Sequence, residues 1–209
     1  MYLTGHVGVE VAPYLDSQRI GYLKTPLNYC PLMPGWVWAA DNGSFGSGWP
    51  GEDRWLEWLA GHTLEERGRC LFAAAPDIVG DSAGTLERSA PLLPLIRNLG
   101  YPAALVAQDG LTVETSPWGD FDVLFVGGTT EWKLGPDARF LIREAKSRGM
   151  HVHVGRVNSQ RRFLSFAAMG CDTVDGTYLK FGPRKNLPNL LAWIRHHETQ
   201  PHLFAMESG

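Results

Sequence analysis

Residues 150–182 read MHVHVGRVNSQRRFLSFAAMGCDTVDGTYLKFG. The alternation HVHV at residues 151–154 is a β-branched strand signal. GRVNS at residues 155–159 is a turn, in which Gly155 supplies free dihedrals and Asn158 or Ser159 is placed to cap a helix. Residues 161–169 are helical in period, with Phe163, Phe166 and Ala167 at i, i+3 and i+4. Gly170 stands where a left-handed residue commonly ends a helix. CDTVDG is the next strand, and Asp175 stands at its end. In a βα repeat, a carboxylate at the C-terminal end of a strand occupies the position where α/β barrels carry their chemistry. The other reading of Asp175 is a cap on the following turn.

The same succession of apolar run and polar turn recurs upstream. WVWAA at residues 36–40 is a short buried-strand candidate, followed by DNGSFGSG, a stretch too rich in glycine for regular structure. Asp41 is its first residue, placed either to make an Asx-turn or to face a ligand. Residues 53–59 and 63–69 are helical in pattern, with Trp55, Leu56, Trp58 and Leu59 read as packing. CLFAAAPD is a strand of small residues suited to a crowded interior, with Asp77 at its end. Either Asp77 or Asp81 is placed to cap a helix that is expected to run from residue 82 to residue 99 despite Pro91 and Pro94. PAALVAQDG is the next strand, with Gln108 at its end, and FDVLFVGG the one after, with Gly127 and Gly128 at its end. Residues 136–148 read as a helix with Phe140, Leu141 and Ala145 inward, and a helix over residues 189–197 closes the domain. The tail from residue 198 is expected to fray. Residues 1–35 hold Pro13, Pro26, Pro31 and Pro34 and are expected to be irregular, apart from one or two short strands within residues 2–11.

The length of 209 residues suits one domain. No apolar run approaches the roughly 18 residues that a membrane span needs, and the N-terminal stretch lacks the basic and apolar regions of a signal peptide. Cys30, Cys70 and Cys171 are odd in number and far apart, which points to a reducing compartment, the cytoplasm. Without a CxxC or CxC pair, no structural zinc or other metal is expected, and no cofactor. The net charge of −3 is unevenly spread. Residues 1–138 carry 8 Lys+Arg against 17 Asp+Glu, a balance of −9, and residues 139–209 carry 11 against 5, a balance of +6. Arg156, Arg161, Arg162, Lys180, Arg184 and Lys185 flank Asp175. They form either a solvated face that balances the acidic part or a footprint for a nucleic-acid backbone.

The strand ends Asp41, Asp77, Gln108, Gly127-Gly128 and Asp175 resemble, in this order, the motifs of the tRNA-guanine transglycosylase superfamily. That family's GxDxxD carries its nucleophile, and Gly170, Asp172 and Asp175 are the corresponding letters. Its DSGGFQ, whose aspartate does acid/base or positioning work, is similar to Asp41, Asn42, Gly43, Ser44 and Phe45, with Asn for Ser and Ser for the second Gly. An aspartate after the next strand reads the guanine edge, as Asp77 would. VQGG is similar to Ala107-Gln108-Asp109-Gly110, with Asp109 as the departure. The double glycine of GGLAVGE corresponds to Gly127-Gly128, with Glu131 near the place of its glutamate. The resemblance covers most of residues 36–182 and implies a compact (β/α)8 TIM-type barrel. The zinc-binding CxCxxC…H tail of the tRNA enzymes is missing and the chain is much shorter than theirs. The chain best resembles short, zinc-free phage enzymes that insert 7-deazaguanines into DNA.

The implied chemistry parallels retaining glycoside hydrolysis, with a second base in place of water. Asp175 would be the nucleophile and Asp41 the acid/base. Asp77, Gln108, Gly127, Gly128, Ser44 and Phe45 would hold the base, and Trp49, Trp132 and Tyr178 would either stack on it or pack. The implied partners are DNA, with tRNA as the alternative, and the 7-deazaguanine base. A second copy of the chain or an accessory protein is also allowed. The competing readings are an N-glycoside hydrolase, a non-catalytic base- or DNA-binding subunit, and a metal-dependent hydrolase using His151 and His153, which face the same way on their strand.

Overall fold

The computed structural model describes residues 1–17, 19–46 and 48–199. Eight parallel strands close into a barrel in sequence order. They are β1 (Tyr2–Thr4), β2 (Ile20–Lys24), β3 (Trp38–Ala40), β4 (Cys70–Ala74), β5 (Ala103–Ala107), β6 (Val123–Val126), β7 (His151–Val154) and β8 (Thr173–Asp175). β8 pairs back onto β1, with Tyr2 opposite Val174 and Leu3 opposite Asp175. The fold is therefore the expected compact (β/α)8 TIM-type barrel. α1 (Glu52–Ala60) and α2 (Leu64–Gly68) join β3 to β4, and α3 (Ser82–Ser89) and α4 (Leu93–Asn98) join β4 to β5. α5 (Thr130–Leu134) and α6 (Pro136–Ser147) join β6 to β7, α7 (Gln160–Ala168) joins β7 to β8, and α8 (Pro183–Thr199) follows β8. Among the described residues the other three connections carry no α-helix; the first contains a 3-10 turn at Ala12–Ser17. These short connections let the barrel close in fewer than the roughly 250 residues usual for the fold.

Strand alternation sorts the core into an outer and an inner layer. On β5, Ala103, Leu105 and Ala107 pack outward, while Ala104 and Val106 pack into the barrel. Small inward residues on β3, β4 and β5 leave room for the rings of Phe72 and Phe125, which meet edge to face with centroids 5.8 Å apart. On β7 and β8 the hydrogen-bonded residues His151, His153, Thr173 and Asp175 take the alternating positions instead. A narrow apolar interior thus carries one polar seam, and that seam leads up to Asp175.

The N-terminal part is more regular than its prolines suggest. It contributes β1 and β2, because Pro13 falls in the 3-10 turn and Pro26, Pro31 and Pro34 fall in the loop after β2. The helix expected over residues 82–99 is two helices. Pro91 lies between them, and Pro94 sits in the first turn of α4, where a missing N–H costs nothing. α8 starts at Pro183, not at residue 189, and runs through Pro188; burial of Leu187, Leu190, Trp193 and Ile194 offsets the lost hydrogen bond. It also includes Glu198, which pairs with Arg19 at 2.9 Å, so the expected fraying does not begin there. Residues 200–209 of that tail lie outside the described residues. Phe140 is 55% exposed rather than inward: the buried stripe of α6 is Ala138, Leu141, Ile142 and Ala145, and Phe140 falls off it.

Candidate active site

The C-terminal strand ends converge on a cavity of about 370 Å³. Asp41 follows β3, Asp77 follows β4, Gln108 follows β5, Gly127 follows β6 and Asp175 ends β8; all five line it, with Asn42, Phe45, Phe125 and Arg156. That volume lies in the range of small-molecule sites.

Asp41 Oδ1 accepts the Gly43 N–H at 2.7 Å. The Asx-turn is therefore present, and it holds the carboxyl in the cavity wall. Burial pushes the Asp41 pKa up to about 6; the Gly43 N–H opposes that shift, and the charges of Asp175 and Asp77 add to it.

Asp77 is not a helix cap. Asp81 caps α3, accepting the Gly84 N–H at 3.0 Å. Asp77 is buried between two amides: Asn42 Nδ2 donates to Oδ1 at 3.0 Å and Gln108 Nε2 donates to Oδ2 at 2.6 Å. Burial raises its pKa, against these two donors. Gln108 Oε1 accepts the N–H groups of Gly80 and Gly128, both at 3.0 Å, which fixes which way the amide faces. Each Asp77 oxygen retains a lone pair for a ligand donor, and Gln108 retains one N–H for a ligand acceptor.

Gly128 stands behind this pair. Its N–H is taken by Gln108 and its carbonyl accepts the Arg156 guanidinium, so it orients the amide. Its φ of +55° is left-handed, and a Cβ there would lie 2.8 Å from Asp109 Oδ1 and closer still to the Trp132 ring. Asp109 accepts both the N–H and the hydroxyl of Thr129 at 2.6 Å and so clamps the double-glycine turn. Gly128→Ala is expected to lower stability by about 1–3 kcal/mol through strain and overpacking, read as a lower urea midpoint with unchanged slope.

Asp175 Oδ1 accepts the Arg156 N–H at 3.1 Å, and Oδ2 lies 2.9 Å from His153 Nε2. Arg156 has a φ of 61°, uncommon without a glycine. Three contacts support that turn. Lys133 Nζ donates to the Gly155 carbonyl, the Arg156 guanidinium donates to the Gly128 carbonyl, and the guanidinium lies 4.3 Å above the Phe45 ring. Burial pulls the Lys133 pKa down to about 7, with the nearby Arg156 charge adding to it.

The remaining expected residues divide by position. Ser44 lies outside the lining; its N–H donates to Asn42 Oδ1 at 2.7 Å. Arg156 belongs to the cavity wall rather than to an outer basic surface, and Arg184 is paired with Glu10 at 2.9 Å. Arg161, Lys180 and Lys185 are exposed and Arg162 is half-buried. All four lie on segments leaving the C-terminal ends of β7 and β8, at the cavity end of the barrel. Glu131 is exposed on α5. Trp49, Trp132 and Tyr178 pack against the core outside the cavity lining, with Tyr178 4.6 Å from Trp193.

Lys133 and Thr173 are not singled out by sequence, and Asn42 enters there only as a letter of the motif that begins at Asp41, without a role. Asn42 and Lys133 act on partners 35 and 22 residues away, which no local pattern reveals. The period-2 alternation of β7 and β8 was the available signal for His153 and Thr173. His151 and His153 are 2.9 Å from the same hydroxyl, Thr173 Oγ1. Among the described residues no group of three or more His, Cys, Asp or Glu could hold a metal ion, and no helix is long and apolar enough to cross a membrane. A barrel of this kind hosts many chemistries, so function has to be argued from the site. The chain matches no family model and no curated protein.

Proposed function

We propose that the protein is a base-exchange transglycosylase of the tRNA-guanine transglycosylase superfamily, replacing guanine in DNA with a 7-deazaguanine such as the 7-cyano form. The observation that carries this reading is the meeting of Asp41 and Asp175, far apart in sequence, in one cavity that also holds the Asp77–Gln108 pair. In the first half-reaction an Asp175 oxygen attacks C1′ of the deoxyribose. The C1′–O bond forms as the C1′–N9 bond breaks, and the electron pair leaves with guanine, which takes the Asp41 proton. In the second, N9 of the incoming base attacks C1′ and gives its proton to the Asp41 carboxylate. The C1′–O bond breaks and Asp175 returns to the carboxylate. A pKa of about 6 suits Asp41 to both tasks. A purine edge with two N–H donors beside a carbonyl complements the open lone pairs of Asp77 and the remaining N–H of Gln108. The target base must leave its stack, at a cost on the order of a few kcal/mol. The expected setting is the cytoplasm, where the free Cys30, Cys70 and Cys171 stay reduced.

The test is incubation with 7-cyano-7-deazaguanine and either DNA or tRNA, then mass spectrometry of the digested nucleosides. A modified deoxynucleoside is the expected product. Modified tRNA alone would keep the mechanism and change the substrate. Free guanine with abasic sites and no incorporation would make the protein an N-glycoside hydrolase, and binding without either product a binding subunit. Replacing Arg161, Arg162 and Lys185 by alanine is expected to flatten the salt dependence of DNA binding by roughly 0.9 unit of log–log slope per lost phosphate contact. An unchanged slope would return these residues to a solvated face.

A further inference from the structure

Below Asp175 the barrel interior holds a chain of polar groups that the proposed mechanism leaves unused. His153 Nε2 lies 2.9 Å from Asp175 Oδ2, His153 Nδ1 lies 2.9 Å from Thr173 Oγ1, and the same hydroxyl lies 2.9 Å from His151 Nε2. His153 is fully buried, with the Phe72 and Phe125 rings against it at 4.9 and 4.3 Å. A buried polar chain is favourable only if every member is satisfied. With both histidines neutral and Asp175 accepting as a carboxylate, one assignment satisfies it: His151 Nε2–H donates to Thr173 Oγ1, the Thr173 hydroxyl donates to His153 Nδ1, and His153 Nε2–H donates to Asp175 Oδ2. An imidazolium at His153 would put a charge in a fully buried position between the Phe72 and Phe125 rings, which the neutral assignment avoids.

We propose that His153, set by Thr173 and His151, is the positioning residue of the nucleophile. It binds Oδ2 as a neutral donor and leaves Oδ1, on the Arg156 side, as the oxygen that attacks. The inference rests on the transglycosylase reading for its effect on rate but not for its geometry. A neutral donor holds the carboxylate without the charge pairing that would blunt its nucleophilicity. When Oδ1 bonds to C1′, Oδ2 becomes the carbonyl oxygen of the ester and still accepts the same N–H, so nothing need reorganise during the step. The groups facing His153 are Asp175 and Thr173 on β8, His151 on its own strand, Lys133 on α5 and the N-terminal amino group beside β1. Burial lowers the His153 pKa and outweighs the opposing pull of Asp175, in keeping with a neutral ring.

The first readout needs no activity. Imidazole nitrogen NMR of the labelled wild-type protein at neutral pH should show His153 neutral and protonated at Nε2 only. An imidazolium, or protonation at Nδ1 alone, overturns the proposal. The second readout uses substitutions. Thr173→Val keeps the shape, removes the donor to Nδ1 and should disturb the His153 tautomer. It is expected to lower kcat about 10- to 100-fold, the worth of one hydrogen bond to a charged group, with the KM values for DNA and base unchanged. His153→Gln can present an N–H near the position of Nε2 and should recover more kcat than His153→Leu. Equal kcat in Gln and Leu variants that remain folded, or an unaltered kcat and tautomer in Thr173→Val, also overturns it. If wild type exchanges no base at all, the functional reading fails while the NMR result still decides the relay.

Discussion

Asp175→Asn is expected to abolish base exchange, lowering kcat by at least about 10³-fold, while the protein folds and still binds DNA. The lost atom is an anionic oxygen, without which the anomeric carbon in the proposed mechanism has no nucleophile. Folding survives because the chain beneath Asp175 can run backwards. The Asn oxygen keeps the Arg156 N–H, and its amide donates to His153 Nε2. His153 then protonates at Nδ1 and donates to Thr173, and the Thr173 hydroxyl donates to His151. No hydrogen bond of the chain is lost, so the unfolding midpoint should move little. Imidazole NMR should show the His153 proton moved from Nε2 to Nδ1. When guanine is released and no second base is supplied, wild type should form a denaturant-resistant adduct with DNA, and Asp175→Asn should not. Near-wild-type exchange by a folded Asp175→Asn protein would remove Asp175 as nucleophile and leave Asp41 as the next carboxylate to test.

The βα repeat was legible because its strands end in marked turns, while its closure into an eight-stranded barrel was implied by the family resemblance. HVHV followed by GRVNS, and CLFAAAPD with its terminal aspartate, announce strand and exit together, and the same strand ends supplied Asp41, Asp77, Gln108 and Asp175. β2 was hidden for the opposite reason: IGYLK is short, follows a 3-10 turn and sits among prolines that turn out to lie beyond its end. The break between α3 and α4 was written in Pro91 and Pro94, and a reading that favours one continuous helix overrides it. Within the site, the types of the cavity carboxylates were readable, but their support was not. Nothing in the sequence marks Lys133, and only the closed barrel brings it under Gly155. Arg156 reads as one of a basic run, yet its left-handed backbone and its contacts to Gly128 and Phe45 make it part of the cavity wall. His151 and His153 were correctly placed on one face of their strand. What they bind there is set by β8, whose register against β7 puts Thr173 opposite His153.

Asp41→Asn is expected to slow both half-reactions by about 10²- to 10⁴-fold, the usual reach of a general acid/base, and to erase opposite pH dependences that wild type shows. In the proposed mechanism guanine release needs Asp41 protonated. With its pKa at about 6, the release rate should be flat on the acid side and fall about tenfold per pH unit above that value. Capture of the second base from the preformed adduct needs Asp41 ionised, so that rate should rise with pH and level off. The rising limb should lie below the falling one, because the Asp175 charge that helps raise the Asp41 pKa is absent in the ester. Stability carries the same signature. The folded protein holds a proton on Asp41 that the unfolded chain releases near 3.8, so the Asp41 contribution is present below 3.8 and is lost as pH rises through about 6. Across that window wild type should lose stability relative to Asp41→Asn, which cannot ionise. Guanine release that rises with pH would assign the leaving-group proton to another donor. A stability difference that does not change between pH 4 and pH 7 would show that the carboxyl is better solvated than its place in the cavity wall implies.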